Sequence, residues 1–292
     1  MHSLSICAVI ILHFPDIDFR KRLHRIIKQV DAVVIVDNSG ADAETRDLPN
    51  EFAEQQVHFL WNDSNLGVAT ALNQGVQFAE QYGYQWAILF DQDTEPTERM
   101  SSVLLGLYQE CCRNGGRALV GSNYINGLGE VQVSCGDSKT SLISRKTIIT
   151  SGTLLSLDVY NRIGPFRDEF FIDAVDHDYC LRAASKGIKV VLSCEPLMHH
   201  AIGMQSRHGL AWKKTASSNH SAVRRYYMAR NNLILVREYC LKEPAWAWKS
   251  VCYIVKTFIL IAFFEKHKVP KLTAMISGIY HAAIGRIENV QD

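Results

Sequence analysis

An α/β fold built on a mostly parallel sheet is what the chain predicts, and three observations predict it. Short, unbroken apolar runs alternate with stretches whose apolar residues recur at helical spacing. Clusters of Gly, Pro, Asn, Asp and Ser close the runs. Carboxylates stand directly after two of the runs, at the strand ends where open parallel sheets bind their ligands.

In chain order, Leu4 to Phe14 is an apolar run ended by Pro15, as a strand buried on both faces would be. Arg20 to Val30 then places Leu23, Ile26, Ile27 and Val30 on one helical face. Ala32 to Val36 repeats the strand pattern and stops at Asp37-Asn38-Ser39-Gly40; Val57 to Leu60 predicts a third strand, and a helix over Val68 to Tyr82 follows Gly67. Trp86 to Phe90 is the fourth strand and runs into Asp91-Gln92-Asp93. Leu119 to Leu157 is broken by Gly121, Gly127-Leu128-Gly129 and Gly136, which predicts a mixed or antiparallel edge and a flexible loop. After the Gly164-Pro165 turn, Asp176 to Lys186 reads as a helix with an acidic first turn, stopped by Gly187 before the strand Ile188 to Leu192.

Composition narrows the function. The chain has 292 residues with 31 Lys+Arg against 30 Asp+Glu, a balance that suits a small-molecule enzyme and gives no electrostatic grip on nucleic acid. The 8 Cys show no metal-ligand spacing and read as reduced, buried thiols of a cytoplasmic protein. No secretory signal is visible, since Leu4 to Leu12 lacks a basic start and a small-residue cleavage site. Pro244 to Phe264 is rich in Trp, Tyr and Phe but carries Lys249 and Lys256, so no 18-residue uncharged span exists. A helix lying on a bilayer, with Lys266, Lys268 and Lys271 nearby, and a core helix or homo-oligomer contact are equal alternatives there.

Several side chains carry candidate chemistry. Asp91 and Asp93 at a strand end can hold a divalent cation against a diphosphate, although most Asp-x-Asp pairs are solvated turns. Asp37, at another strand end, can accept hydrogen bonds from a base N–H or a ribose hydroxyl, or only shape its turn. Gly67 allows a close backbone approach, Ala69, Ala71 and Gly75 let the next helix pack tightly, and Asn65 can cap that helix. Asp176 and Asp178 also suit a helix start without any catalytic role. Arg224, Arg225 and Arg230, with Tyr226 and Tyr227, either bind a phosphate or form a solvated helix face.

Taken together, Val34-Ile35-Val36-Asp37-Asn38-Ser39, Asn65-Leu66-Gly67-Val68-Ala69-Thr70-Ala71-Leu72-Asn73-Gln74-Gly75, Asp91-Gln92-Asp93 and Phe170-Phe171-Ile172-Asp173-Ala174-Val175-Asp176-His177-Asp178 resemble family 2 glycosyltransferases. Ser151-Gly152-Thr153, Gly164-Pro165-Phe166, His200-Ala201-Ile202-Gly203 and Arg230-Asn231-Asn232 extend the resemblance, which runs from about Leu4 to Tyr239 and looks most like the bacterial rhamnosyltransferase branch. It implies a GT-A fold: a Rossmann-like, mostly parallel sheet flanked by helices, followed by a helical C-terminal region. The implied boundaries are a catalytic domain over residues 1–240, with a nucleotide-binding half about 1–115 and an acceptor half about 116–240, and a C-terminal region over 241–292.

For the site, the resemblance implies nucleotide-sugar contacts from Asp37, Asn65, Gly67, Asn73, Asp91 and Arg230, and metal ligation by Asp93 with Asp91. His200 resembles the family's late metal ligand; His199 beside it leaves two choices, of which His200 is favoured. Carboxylate and imidazole donors beside a diphosphate suit Mg2+ or Mn2+. Asp176 is the candidate general base, with Val175 where many relatives carry Glu and with Asp173 and Asp178 as competitors. One base and no second nucleophile imply inversion at the anomeric carbon. The implied donor is dTDP-β-L-rhamnose and the implied acceptor a lipid-linked oligosaccharide at the inner face of the cell membrane, with a UDP-hexose donor as the alternative. A sugar nucleotidyltransferase would need a glycine-rich basic loop after the first strand, and Leu12-His13-Phe14-Pro15-Asp16 is not one.

Overall fold

The computed structural model describes residues 5–41, 44–136, 140–200, 206–210, 213–217 and 219–287. The chain forms two compact units, Met1–Phe166 with Asp176–Ala201, and Arg167–Val175 with Ile202–Asp292.

The first unit contains β1 (Ile6–Leu12), α1 (Phe19–Ile27), β2 (Ala32–Asp37), α2 (Leu48–Glu51), β3 (Val57–Trp61), α3 (Val68–Gln81), β4 (Trp86–Asp91), β5 (Thr94–Pro96), α4 (Met100–Cys111), β6 (Ala118–Ile125), β7 (Leu142–Ser144), β8 (Thr153–Ser156), α5 (Leu157–Ile163), α6 (Val175–Ser185) and β9 (Lys189–His200). One sheet takes the order β3-β2-β1-β4-β8-β6-β9-β5, with β7 also paired to β9. β1 to β4 are mutually parallel where they neighbour one another, as their apolar runs predict. Every residue of β1 and β2 is buried, and a fully buried Ile or Leu contributes about 1.5–3 kcal/mol. Small residues set how closely α3 lies on this sheet: Ala69 and Ala71 are buried, and a Cβ at Gly75 would collide with the Val9 side chain.

The segment expected at an edge lies inside the sheet. β8 pairs antiparallel with both β4 and β6, and β6 runs parallel to β9, so only the short β7 behaves as an edge piece. Pairing between segments far apart in sequence decides this order, and the glycines that break the run mark turns and a bulge instead. β9 is longer than the strand expected over Ile188 to Leu192, with 12 residues, and its register against β6 shifts around Asn123. The thiol expectation also changes: Cys135 and Cys194 form a disulfide, and Cys240 and Cys252 are exposed. The remaining free thiols, Cys7, Cys111, Cys112 and Cys180, are buried or half-buried.

The second unit holds the β10 (Ser206–Leu210) and β11 (Lys213–Ser217) hairpin and the helices α7 (Ala222–Tyr239), α8 (Pro244–Phe264) and α9 (Lys268–Ile284). Ser221 caps α7 by accepting the Arg224 N–H at 3.2 Å. α7 is buried on most of its circumference, including Arg225 and Arg230, so the basic stretch is not a solvated face. Arg225 pairs with the buried Glu265, which also takes Lys271 at 3.0 Å. α9 packs on α7 at Gly278, where a Cβ would collide with the Tyr226 carbonyl oxygen.

α8 buries Trp246, Ala247, Ser250, Ile254, Thr257 and Ile261 at helical spacing. Its other face exposes Trp248, Val255, Ile259 and Phe263, and α9 exposes Val269, Ile276, Tyr280 and Ile284. With 21 residues, among them an 18-residue stretch of mean hydropathy 1.6, α8 is long and apolar enough to cross a membrane by length and composition alone.

Candidate active site

Asp91 is the last residue of β4, and two residues later the chain turns into β5, which pairs antiparallel with the end of β9. The register sets Thr94 opposite His200, and this pairing brings an imidazole from 106 residues after Thr94 to the two carboxylates. His200 Nδ1 lies 3.3 Å from an Asp93 carboxylate oxygen and Nε2 lies 3.9 Å from one of Asp91. One ligand atom from each of the three residues lies within 4.8 Å of the others. His200 is buried and both carboxylates are half-exposed, so the cluster opens to solvent on its acidic side. His199, the alternative, points outward and is exposed, in keeping with strand alternation.

Two hydroxyls stand behind this cluster. The Asp91 N–H donates to Ser151 Oγ at 3.0 Å, Ser151 and Thr94 hydroxyls lie 2.6 Å apart, and Thr94 Oγ1 lies 3.0 Å from His200 Nδ1. The ring of Tyr124 meets the imidazole edge-on at 5.6 Å. The donor set fits a small divalent cation: two carboxylates and an imidazole whose Nδ1 is held by a hydroxyl, as metal-ligating histidines commonly are.

The expected nucleotide residues lie at the ends of β2 and α3. Asp37 is buried, and its carboxylate accepts the Ser39 N–H at 2.7 Å and the Thr45 hydroxyl. Asn65 does not cap α3; its Oδ1 accepts the Gly67 N–H at 2.9 Å and fixes the turn in which Gly67 has φ +88°. Asn38 Nδ2 donates to the Gly67 carbonyl at 3.1 Å, and Asn62 links Asn38 to Gln74. Asn73 is buried, with its side chain holding the Phe166 backbone through both N–H and C=O at 2.8 and 2.9 Å.

Asp176 begins α6, and its Oδ1 accepts the neighbouring His177 N–H at 2.8 Å. No cation pairs with it among the described residues. Asp178, by contrast, is buried against Arg182 at 2.7 Å, and Arg182 also donates to the Ile163 and Pro165 carbonyls. Burial first, and then the Asp176 charge, pushes the Tyr124 phenol up to about 12. Tyr124 therefore stays protonated, with its ring on His200 and its hydroxyl within electrostatic reach of Asp176.

In the second unit, Asp173 accepts both Nε and Nη2 of Arg224 at 3.0 and 3.2 Å. Arg230 is fully buried; its guanidinium donates to the Glu169 carbonyl and lies 4.7 Å over the Tyr227 ring. The sequence brought Asp91, Asp93 and His200 to notice, and the structure gathers them. It did not single out Thr94, Tyr124 or Asn62, and it offered Asn38 and Ser151 only as parts of motifs.

The family model of glycosyl transferase family 2 matches residues 18–128. A dTDP-rhamnosyl transferase of Shigella flexneri, RfbF, is 29% identical over 279 residues, covering 91% of this chain and 90% of the relative. Among solved structures, residues 1–349 of TarS from S. aureus in complex with UDP-GlcNAc align with a TM-score of 0.59 at 13% identity, over 98% of this chain and 89% of that one. GalNAc-T7 with UDP, GalNAc and Mn2+ aligns with a TM-score of 0.56 at 14% identity, over 79% of this chain and 51% of that one. At these identities the structural likeness is one of fold.

Proposed function

We propose that this chain, a family 2 glycosyltransferase of the GT-A fold, moves L-rhamnose from dTDP-β-L-rhamnose to a hydroxyl of a lipid-linked glycan in the building of a bacterial surface polysaccharide such as O-antigen. The Asp91, Asp93 and His200 cluster at the carboxyl end of β4 carries the transfer chemistry. The choice of donor rests on the likeness to RfbF along nine-tenths of the chain. A UDP-hexose donor is the second reading, favoured by the fold shared with a protein solved with UDP-GlcNAc.

Asp93, Asp91 and His200 would hold Mg2+ or Mn2+. Such a cation supplies Lewis-acid neutralisation of the departing diphosphate. Asp37, Asn65 and Gly67 shape the turns at which the nucleotide lies, with Asn38 tying the first to the last. Asn73 and Arg230 act on the nucleotide-sugar through the backbone they hold, since both side chains are buried in protein contacts. Asp176 takes the acceptor hydroxyl proton on Oδ2, the oxygen opposite the one bound to His177 N–H, while the acceptor oxygen attacks the anomeric carbon and the diphosphate leaves. A single displacement inverts the configuration.

The exposed apolar stripe on α8, with Lys249 and Lys256, suits a peripheral contact with the anionic inner face of a cell membrane, where a lipid-linked acceptor is found. On this reading the protein works in the cytoplasm. Thermal shift with a panel of nucleoside diphosphate sugars, with and without Mn2+, tests the donor: the largest rise belongs to dTDP-rhamnose, and a larger one with a UDP-hexose overturns that choice.

A further inference from the structure

The segment leading into α6 is bent against its preferences. Phe171 has φ 54° and ψ −68°, and the Ile172 N–H reaches back to the Phe170 carbonyl at 2.5 Å, a γ-turn of the strained hand. Asp173 and Ala174 then follow with φ of 64° and 61°. Three non-glycine residues with positive φ among four consecutive positions cost free energy that only surrounding contacts can offset. No glycine is supplied at any of them.

One side chain gathers those contacts. Asn231, on α7 and fully buried, aims Nδ2 at three carbonyl oxygens of this segment: Phe170 at 2.7 Å, Ile172 at 3.0 Å and Asp173 at 2.9 Å. Its Oδ1 accepts the Arg230 Nε–H at 3.0 Å, which fixes the amide the right way round. Arg224 adds a two-pronged grip on the Asp173 carboxylate, and Tyr227 stacks on Phe171 at 5.0 Å. Only Val175 separates Ala174 from Asp176, so the segment leads directly into the turn of α6 that carries the Asp176 carboxylate.

We infer that Asn231 is a positioning residue for transfer: its amide holds the strained 170–174 segment in the one conformation that presents Asp176 to the acceptor. This rests on Asp176 being the base. A backbone that relaxed out of positive φ would carry the carboxylate away, and a displacement of about 1 Å at a reacting group can cost on the order of a hundredfold in rate.

The test uses Asn231→Ala in the full chain, alone and with Ala174→Gly. Asn231→Ala lowers kcat by about tenfold or more, with dTDP affinity by calorimetry unchanged. Adding Ala174→Gly restores part of kcat, because glycine adopts positive φ freely and needs less holding. A merely structural role would lower the melting temperature without that recovery. If Asn231→Ala does not fold, Asn231→Ser, which keeps one donor, gives an intermediate kcat. A folded Asn231 variant with kcat within about twofold of the parent, or no recovery on adding Ala174→Gly, overturns the inference. Asp176→Asn is measured alongside: transfer retained there overturns the base assignment, whereas transfer lost there with kcat intact in Asn231→Ala overturns positioning alone.

Discussion

The Asp91, Asp93 and His200 cluster and the 170–174 segment fix their acidic side chains by opposite means. The cluster rides on regular strands: ladder hydrogen bonds between β5 and β9 set His200 opposite Thr94, and no residue there has positive φ. The segment has no ladder and is kept bent by side chains reaching over from α7. A site held by strand register draws its geometry from backbone hydrogen bonds and leans less on neighbouring side chains. A site held by strain depends on one or two of them.

That difference can be probed from the largest effect down. Asp93→Asn removes charge where the register leaves no substitute carboxylate at the same distance, so transfer falls by about a thousandfold or more with the fold intact by circular dichroism. Stripping divalent ions with a chelator does the same to the parent protein, and transfer that survives both would remove the cluster from the chemistry. Ser151→Ala is milder, because the strands still place His200 while the hydroxyl chain through Thr94 is cut. It weakens Mn2+ affinity by about 10- to 100-fold in metal titration, and unchanged affinity would show that the ladder alone suffices.

The smallest effect concerns His220, near the start of α7. Burial, and then the charges of Arg224, Arg225 and Lys271, lower its pKa from 6.5 to about 3. The folded state thus excludes a proton that the unfolded chain binds. This contribution to stability is complete above pH 6.5 and is lost as the pH falls towards 3. The melting temperature should fall over that window, and less steeply in His220→Asn; parallel curves would show that the imidazole is not held neutral.

Much of the fold was legible in the sequence where information is local. The apolar runs of β1, β2 and β4 and the helix spacing of α1 and α3 need only neighbouring residues, and they match. β6 and β8 were misplaced because their position depends on pairing across the sheet, which glycine spacing does not encode. The Cys135–Cys194 bond joins residues 59 apart, in a chain whose cysteines suggested thiols. The same division holds at the site. Asp91 and Asp93 stand out by motif, whereas Ser151 acts on Thr94 from 57 residues away. Arg225 and Arg230 misled because arginine is ordinarily exposed, and here buried partners neutralise the one and backbone carbonyls occupy the other.

The irregular stretch of β9 has one more consequence. While β6 advances from Gly121 to Ile125, its partner advances from Leu192 to His199, so β9 absorbs extra residues before it reaches Thr94. How many it absorbs decides which side chain arrives there. An insertion of one residue between Ser193 and Leu197 would deliver His199 to that place and keep an imidazole, while a deletion would leave none. One residue gained in this stretch keeps an imidazole beside Thr94 and one residue lost does not, so the doubled histidine lets the site absorb a single added residue.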